Sequence, residues 1–372
     1  MPGNPLSEEI YLQRTRKRKG DVRGHYFRDQ TAIIHCRPFR RLKHKTQVFF
    51  APDNDHVCTR MEHVMHVATI AATLCKGLNR EGWNLDTELA YAIGLGHDLG
   101  HPPFGHSGEE AINEKLVRKG SFCHEMHSYR VAEHLAYGGD GLNLTYAVKD
   151  GIICHNGEHF ERSLVPAVQP NRLEEITARD CLPTSYEGCI VRFSDKIAYL
   201  GRDIEDAVIA RLIAKKDIPP EIARGLGSSN SEIIEFCVND VIERSKGGDA
   251  IRFSDPAFEL LLQLKRFNYE RIYYHPKMRR TAEFCRRILH SLFDHLMALH
   301  ARCGRDFGKY PESGIPLDQA FGRRREEMDP FYSRTGADAE TAVTDFVAGM
   351  TDNYALEAMK QITLPPPLTF KA

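Results

Sequence analysis

The sequence has few of the features that mark membrane, secreted or nucleic-acid-coating proteins. No stretch of its 372 residues approaches the roughly 18 consecutive apolar residues that suggest a membrane span. The N-terminus, Met-Pro-Gly-Asn-Pro, has no apolar segment of the kind found in a signal peptide. The formal net charge is only -1, so the chain has no global basic field that would favour nucleic acid. These absences predict a cytoplasmic protein with no membrane partner.

Paired cysteines are also missing. The ten cysteines are scattered along the chain, and none of them forms a Cys-x-x-Cys pair. This spacing argues against a zinc knuckle or ribbon and favours free thiols in a reducing compartment.

Alternating strand patterns are absent as well, and apolar residues recur at helical spacing almost throughout. Hydrophobic residues make up 42% of the chain, which is ordinary for a globular protein with a sizeable core. We find no internal repeat, and the segment 303–329, rich in Gly, Pro and Arg, is expected to be partly irregular. The sequence therefore predicts an all-α fold. The expected helices cover residues 60–78, 87–99, a segment from near 107, 124–137, 144–154, 189–214, 231–244, 256–274, 281–303 and 337–362.

Histidine is abundant, with eighteen in the chain, and many of them fall between His35 and His159. The run Gly-His-Asp-Leu-Gly-His-Pro-Pro-Phe-Gly-His at residues 96–106 carries the most information. Its adjacent His97 and Asp98 offer a neutral nitrogen and an anionic oxygen to one small volume. A divalent cation that must also keep open positions for water and phosphate prefers this mixture.

Two more ligands complete a candidate metal set. His63 lies on the expected helix 60–78, and Asp195 lies on another helix nearly a hundred residues after Asp98. Each alone is an ordinary residue, but metal sites in helical bundles are built from ligands on different helices. The set of His63, His97, Asp98 and Asp195 leaves two octahedral positions open. It suits manganese, iron, cobalt or nickel, and magnesium less well.

The same residues carry a family resemblance. The segments 39–49, 59–63, 96–109, 195–203 and 273–276 together resemble the HD-domain phosphohydrolases, and more closely their deoxynucleoside triphosphate triphosphohydrolase branch, the dGTPase-like proteins. The resemblance implies an HD-domain helical bundle with additional C-terminal helices. It divides the chain into a basic arm and substrate-contacting segment at 1–50, an HD core at 51–215, and a helical region at 216–372. That last region would complete the pocket and the oligomer contacts.

The activity that the resemblance implies is hydrolysis of dGTP, or of dNTPs more broadly, to a deoxynucleoside and inorganic triphosphate. The implied cofactor is a divalent metal ion, with Mn²⁺ expected and Mg²⁺, Co²⁺, Ni²⁺ and Fe²⁺ as alternatives. The implied partners are the dNTP substrate, a dNTP allosteric effector, and further copies of the chain in a tetramer or hexamer.

Proton transfer is assigned to a His–Glu pair in this scheme. The ordinary pKa of His106 lies near neutrality, and Glu109 follows three residues later at an expected helix start, where it can orient the imidazole. The pair matches the family's catalytic pair, and His101 and His124 match positions that line the phosphate side. Around His124 the chain reads Phe-Cys-His-Glu where the family usually has Phe-Glu-His-Asn, and His127 replaces a common glutamine.

Substrate contacts follow from charge and from the resemblance. Arg60 stands one helical turn before His63, so it is expected at a phosphate beside the metal. The resemblance implies a phosphate contact for Lys196, which follows Asp195. The resemblance assigns the deoxyribose to Gln47 and Asp203, with Tyr199 packing beneath it. Tyr273 is expected to flank the base or the sugar.

Several alternatives remain open at this level. His155 fits structural capping and a site role equally well. The basic run 14–19 is either a solvated arm or a contact with a nucleotide or single-stranded DNA. The function has three rivals: another HD phosphohydrolase such as a 5'-nucleotidase or cyclic-nucleotide phosphodiesterase, a di-iron oxygenase on the same scaffold, and a nucleotide sensor.

Overall fold

The computed structural model describes residues 3–20, 22–50, 56–118, 121–156 and 159–364, and it confirms the all-α prediction. Within this part of the chain, the strands are β1 (Ser163–Leu164) and β2 (Ile251–Arg252), which pair antiparallel. None of the helices described combines the length and apolarity needed to cross a membrane. The α-helices are α1 (Glu8–Tyr11), α2 (His25–His35), α3 (Arg37–Arg41), α4 (Arg60–Arg80), α5 (Thr87–Gly96), α6 (Gly105–Lys115), α7 (His124–Arg130), α8 (Tyr146–Ile153), α9 (Tyr186–Ile209), α10 (Pro220–Gly225), α11 (Asn230–Ser245), α12 (Asp255–Asn268), α13 (Pro276–Cys303), α14 (Pro316–Thr335), α15 (Ala339–Ala348) and α16 (Asp352–Thr363).

Shorter helical turns join or extend these elements. Turns of 3-10 helix occupy Leu42–His44, Ala136–Gly139, Leu173–Glu175, Lys215–Asp217 and Phe307–Ser313. Helices α7 and α12 continue as π-helical turns over Val131–Leu135 and Tyr269–Tyr273. The expected helix 337–362 is divided, because the chain leaves helical geometry between Ala348 and Asp352. The expected irregularity of 303–329 is confined to short stretches, because a 3-10 turn covers Phe307–Ser313 and α14 begins at Pro316, where proline suits the first turn.

Helix α4 is the scaffold on which the site is built. Thr59 caps its N-terminus, and the Thr59 side chain and Glu62 form a reciprocal capping box. Its buried apolar stripe packs against α5 and α9. The α4–α5 contact is close because Gly94 has no side chain: a Cβ there would lie 2.6 Å from the Cα of Ala68. This close approach brings the N-terminal end of α4 beside the C-terminal end of α5.

A buried loop carries the His/Pro/Gly run between α5 and α6. His97 is the C-cap of α5, and Phe104 and Gly105 both have positive φ, which turns the chain into α6. The loop is held from outside by the Ser128 hydroxyl, which accepts from the Gly100 amide at 2.9 Å, and by Asp352, which accepts from the Phe104 amide at 2.9 Å. The C-terminal helices therefore take part in fixing this loop.

The apolar core has two main parts. One lies among α2, α4, α5, α8, α9, α11 and α12, and the other joins α6 to α13, α14, α15 and α16. The loop at 97–104 passes between them. The division of the chain into segments 1–50, 51–215 and 216–372 remains a prediction.

The backbone geometry of this loop gives a stability prediction. A Cβ added at Gly108 would lie 1.9 Å from the carbonyl oxygen of Pro103, so Gly108→Ala forces the start of α6 away from the loop. We expect the free energy of unfolding to fall by about 1–3 kcal/mol, the usual cost of overpacking. Denaturant unfolding measures it. The matched control is Gly308→Ala, where the nearest atom is 3.5 Å away, and equal losses in both variants would contradict the prediction.

Candidate active site and metal centre

The four predicted metal ligands converge from three segments. The ligand atoms of His63, His97 and Asp195 lie within 4.8 Å of one another, and all three residues are buried. The His63 Nε2 is 3.0 Å from an Asp195 oxygen and 4.0 Å from an Asp98 oxygen. The His97 Nε2 lies 3.6 Å from Asp98 and 3.9 Å from Asp195. The structure therefore brings this set around one point, as the sequence spacing implied.

The state of His97 fits a metal ligand. Its Nδ1 lies 2.8 Å from the carbonyl oxygen of Gly94, which favours the tautomer with the proton on Nδ1. The lone pair of Nε2 then faces the two carboxylates, and this buried atom has no hydrogen-bond partner among the described residues. Metal-binding histidines are commonly oriented through the second ring nitrogen in this way. The donor set of two imidazoles and two carboxylates fits a divalent cation.

Asp98 stays ionised although it is buried. Burial raises the pKa of this carboxyl, but the Arg60 guanidinium and then His97 outweigh that effect and bring the pKa well below its usual range. Arg60 Nη1 donates to Asp98 Oδ2 at 2.5 Å, and the other nitrogens of Arg60 donate to the backbone carbonyls of Thr46 and Gln47. The predicted phosphate contact Arg60 is thus anchored directly behind Asp98, a candidate metal ligand.

A second cluster adjoins the candidate metal ligands. The ligand atoms of His101, His106, Glu109 and His124 lie within 4.8 Å of one another. The His106 Nδ1 is 3.6 Å from Glu109 Oε2, and His124 Nδ1 is 2.8 Å from the same oxygen. The His124 Nε2 lies 3.8 Å from Asp98, so the two clusters touch. The His106 side chain is 54% exposed, whereas the other three are buried, and His106 is therefore the member that a ligand reaches first.

The charges in this cluster are set by contacts between its members. Burial raises the pKa of Glu109, but His124 and His106 bring it well below its ordinary value. Burial lowers the pKa of His124, but Glu125 and Glu109 raise it to about 9. Burial lowers the pKa of His101 far below its ordinary value, and Arg60 acts in the same direction. Neither ring nitrogen of His101 has a hydrogen-bond partner in the described part of the chain, so both are available to a ligand.

The predicted sugar contacts lie on the inner face of α9. Asp203 follows Asp195 by two turns and is fully buried. Burial, and then Asp206, raise the pKa of Asp203 to about 8, and the Tyr273 hydroxyl donates a hydrogen bond to its Oδ2. The Oδ1 of Asp203 and the Oε1 of Gln47 are buried without partners among the described residues. Tyr199, one turn before Asp203, has its ring 6.5 Å from that of Phe160.

Lys196 has a partner that the sequence did not indicate. Its Nζ donates to Glu161 at 2.7 Å, and burial lowers the pKa of Lys196 to about 8. Arg192 also donates to Glu161. No spacing rule connects Glu161, which lies in an irregular segment, with residues on α9.

Three further residues join the clusters. His155, which the sequence left between two roles, has its Nε2 3.2 Å from the Nε2 of His124 and its ring 4.9 Å from that of His97. Glu125 lies 3.5 Å from His124, and Arg179 lies 2.5 Å from Glu109. The run His155-Asn156 was a usable sequence signal for His155. Nothing in the sequence pattern indicated Arg179.

Part of the basic run near the N-terminus is structural. Arg14 Nη1 pairs with buried Asp29 at 2.6 Å and also donates to the carbonyl of Asn143. Lys17 and Lys19 are exposed. For the exposed remainder of the run, both interpretations stay predictions: a solvated arm, or a contact with a nucleotide or single-stranded DNA.

Comparison with known proteins gives consistent matches over most of the chain. The HD domain matches residues 60–200, and a phosphohydrolase-associated domain matches residues 251–311 and 316–361. A deoxyguanosinetriphosphate triphosphohydrolase-like protein of Caldanaerobacter subterraneus subsp. tengcongensis is 38% identical over 94% of this chain and 88% of its own length. Proteins of the same description from Desulfatibacillum aliphaticivorans and Caulobacter vibrioides are 34% and 32% identical, over 93% and 97% of this chain and 90% and 96% of their own lengths.

Proposed function

Because the chain belongs to the HD-domain family of deoxyguanosinetriphosphate triphosphohydrolase-like proteins, we propose that it hydrolyses deoxynucleoside triphosphates to a deoxynucleoside and inorganic triphosphate. The observation that carries this proposal is the contact between two clusters, one of metal-ligand type and one containing an exposed histidine paired with a buried glutamate. Phosphate-ester hydrolysis needs both charge neutralisation and a proton for the leaving oxygen, and the two clusters offer these functions side by side.

His63, His97, Asp98 and Asp195 are the residues that would hold the metal ion, with Mn²⁺ proposed and Mg²⁺, Co²⁺, Ni²⁺ and Fe²⁺ as alternatives. A divalent cation in such a site polarises a phosphate oxygen and makes water a better nucleophile near neutral pH. The bound metal would also have a structural effect. Its ligands lie on α4, on α9 and at the loop after α5, so binding would hold these three segments together.

The protein residues supply the remaining chemistry. Water forms a bond to the α-phosphorus while the bond from that phosphorus to the sugar O5' breaks. His106 gives a proton to O5', the attacking water releases one proton to solvent, and the exposed His106 takes up a proton from solvent again. Glu109 stays anionic and stabilises the charged imidazole, so that the proton is positioned before the bond breaks. His101 and His124 face the phosphate oxygens, and Arg60 and Lys196 add positive charge along the triphosphate.

We assign sugar selection to two buried polar atoms without partners in the described structure, Asp203 Oδ1 and Gln47 Oε1. We place the 3'-hydroxyl at Asp203 and Gln47, whose buried oxygens lack partners in the described structure. Tyr199 packs beneath the deoxyribose, and Tyr273 fixes Asp203 from the other side. A tight fit at the 2' carbon would reject a ribonucleotide because an added hydroxyl would find no room or partner there.

Regulation and assembly form a further part of the proposal. A cavity of about 720 Å³ lies behind the catalytic loop and is lined by five arginines, which supports binding of an anionic dNTP effector. These arginines are Arg37, Arg40, Arg41, Arg323 and Arg324. We also propose a homo-oligomer, tetrameric or hexameric, a cytoplasmic location, and a contact of the exposed basic run with single-stranded DNA.

Product analysis tests the proposed activity. The protein is incubated with Mn²⁺ and each of the four dNTPs or GTP, singly and mixed, and the products are separated by ion exchange. Deoxynucleoside and triphosphate from the dNTPs, with little from GTP, support the proposal and rank the bases. Monophosphate with pyrophosphate, or stepwise release of phosphate, would instead favour another HD phosphohydrolase such as a 5'-nucleotidase or phosphodiesterase.

A further inference from the structure

Arg179 lies in the irregular segment between α8 and α9 and reaches into the second cluster. Its Nη2 donates to Glu109 Oε1 at 2.5 Å, and its Nε lies 2.8 Å from Glu125 Oε1. The two carboxylates come from different helices, α6 and α7. One guanidinium therefore joins two elements that present the catalytic histidines.

The two carboxylates need a cation at this position. The side chains of Glu109 and Glu125 are 8% and 1% exposed, and both lie within 3.5 Å of His124 Nδ1. Burying two adjacent anions is costly unless cations pair with them. His124 approaches them from the metal side and Arg179 from the solvent side, where its side chain is 29% exposed. Burial lowers the pKa of Arg179, but Glu125 and Glu109 outweigh it and raise the pKa.

The backbone of Arg179 is also tied to the site. Asn156 Nδ2 donates to the Arg179 carbonyl at 2.6 Å. Asn156 follows His155, whose ring contacts both His97 and His124. The segment is thus attached to the wall of the active site at two points, the guanidinium and the backbone, and its position is fixed relative to Glu109.

We propose that Arg179 is a positioning residue for the proton-transfer pair of His106 and Glu109. This inference rests on the proposed function. It holds the Glu109 carboxylate in one orientation, with Oε1 facing the guanidinium and Oε2 facing His106 and His124. Because the fork of a guanidinium contacts two carboxylates at once, it fixes direction as well as charge. Without it, Glu109 is free to rotate toward His124 alone, and His106 loses its orientation.

The test compares Arg179→Gln and Arg179→Lys with the wild type. We expect kcat for Arg179→Gln to fall by about 10- to 100-fold with KM changed by less than about threefold, since the group orients a catalytic residue and does not bind substrate. Free guanidinium ion added to Arg179→Gln should restore part of kcat, and Arg179→Lys should lie between the two because one ammonium lacks the fork. Arg172→Gln is the matched control: Arg172 lies in the same segment, and its side chain is 80% exposed.

Other outcomes would overturn the proposal. Unchanged kcat in Arg179→Gln would show that Glu109 is oriented without Arg179. A rise in KM at constant kcat would make Arg179 a substrate contact. A loss of kcat that guanidinium does not restore, accompanied by an equal loss in Arg179→Lys and a lower melting temperature, would leave only a structural role.

Failure of the proposed activity can be distinguished from failure of the inference about Arg179. If the wild type releases a product other than triphosphate, the proposed function is wrong. The ratio of variant to wild-type kcat is then measured on bis(4-nitrophenyl) phosphate, a simple phosphodiester. A ratio near one would refute the role of Arg179, and a fall by at least about 10-fold with guanidinium rescue would support it.

Discussion

Asp195→Asn is expected to remove both bound metal and dNTP hydrolysis. The substitution keeps the size of the side chain, and its amide still contacts His63, but it removes one of two carboxylate charges from the metal set. Metal-assisted charge stabilisation is worth several kcal/mol, so we expect kcat to fall on the order of 10³-fold. Metal content by elemental analysis and triphosphate release are measured on the same preparation.

The control for this variant is Asp294→Asn. Asp294 lies on α13 with its side chain 63% exposed and pairs with Lys115 on the surface. It should keep full metal content and activity. An Asp195→Asn protein that retains stoichiometric metal and wild-type kcat would remove Asp195 from the metal site.

His106→Ala and Glu109→Gln are expected to show the next largest losses. Both variants keep the four metal ligands, so bound metal should stay at the wild-type level. General acid catalysis contributes about 10² to 10⁴-fold, and we expect kcat to fall within that range for His106→Ala. Because Glu109 is proposed to act through His106, the double variant should lose little more than the single His106 variant.

Neighbouring residues provide the controls for this pair. Glu110 is exposed beside Glu109, and His66 lies one turn after His63 on α4 without joining either cluster. Glu110→Gln and His66→Ala should keep wild-type rates. Losses in the double variant that multiply the two single losses would show that His106 and Glu109 act independently, against the proposed roles of acid and orienting carboxylate.

Much of the geometry of the candidate metal centre was predictable because its residues carry local signals. His97 and Asp98 are adjacent in sequence, and His63 follows a capping box that fixes the start of α4. Asp195 and Asp203 are separated by eight residues, which places them on one face of α9. Helix periodicity was therefore enough to place Asp195 and Asp203 on one face, whereas His97 and Asp98 were found from their adjacency at the end of α5.

Contacts made by irregular segments were not predictable in the same way. Arg179 and Glu161 belong to a stretch with no hydrophobic period, so nothing in the sequence specifies which helix they meet. Their partners lie 70 and 35 residues away. For the same reason Lys196 was expected only at phosphate, whereas the structure pairs it with Glu161.

The boundaries of the C-terminal helices show a second limit. Helix α14 was not expected because its sequence is rich in arginine and has a low apolar content. It is stabilised by tertiary packing, with Phe321 and Met328 buried against the rest of the fold. Packing of this kind overrides local propensity and is visible only once the neighbouring elements are placed.

The bond that the protein breaks is identified most directly by dNTP hydrolysis in ¹⁸O-labelled water, with mass spectrometry of both products. Attack of water on the α-phosphorus with cleavage of the bond to O5' predicts one ¹⁸O atom per turnover in the inorganic triphosphate and none in the deoxynucleoside. Label in the deoxynucleoside, or in a nucleoside monophosphate, would contradict the proposed triphosphohydrolase reaction.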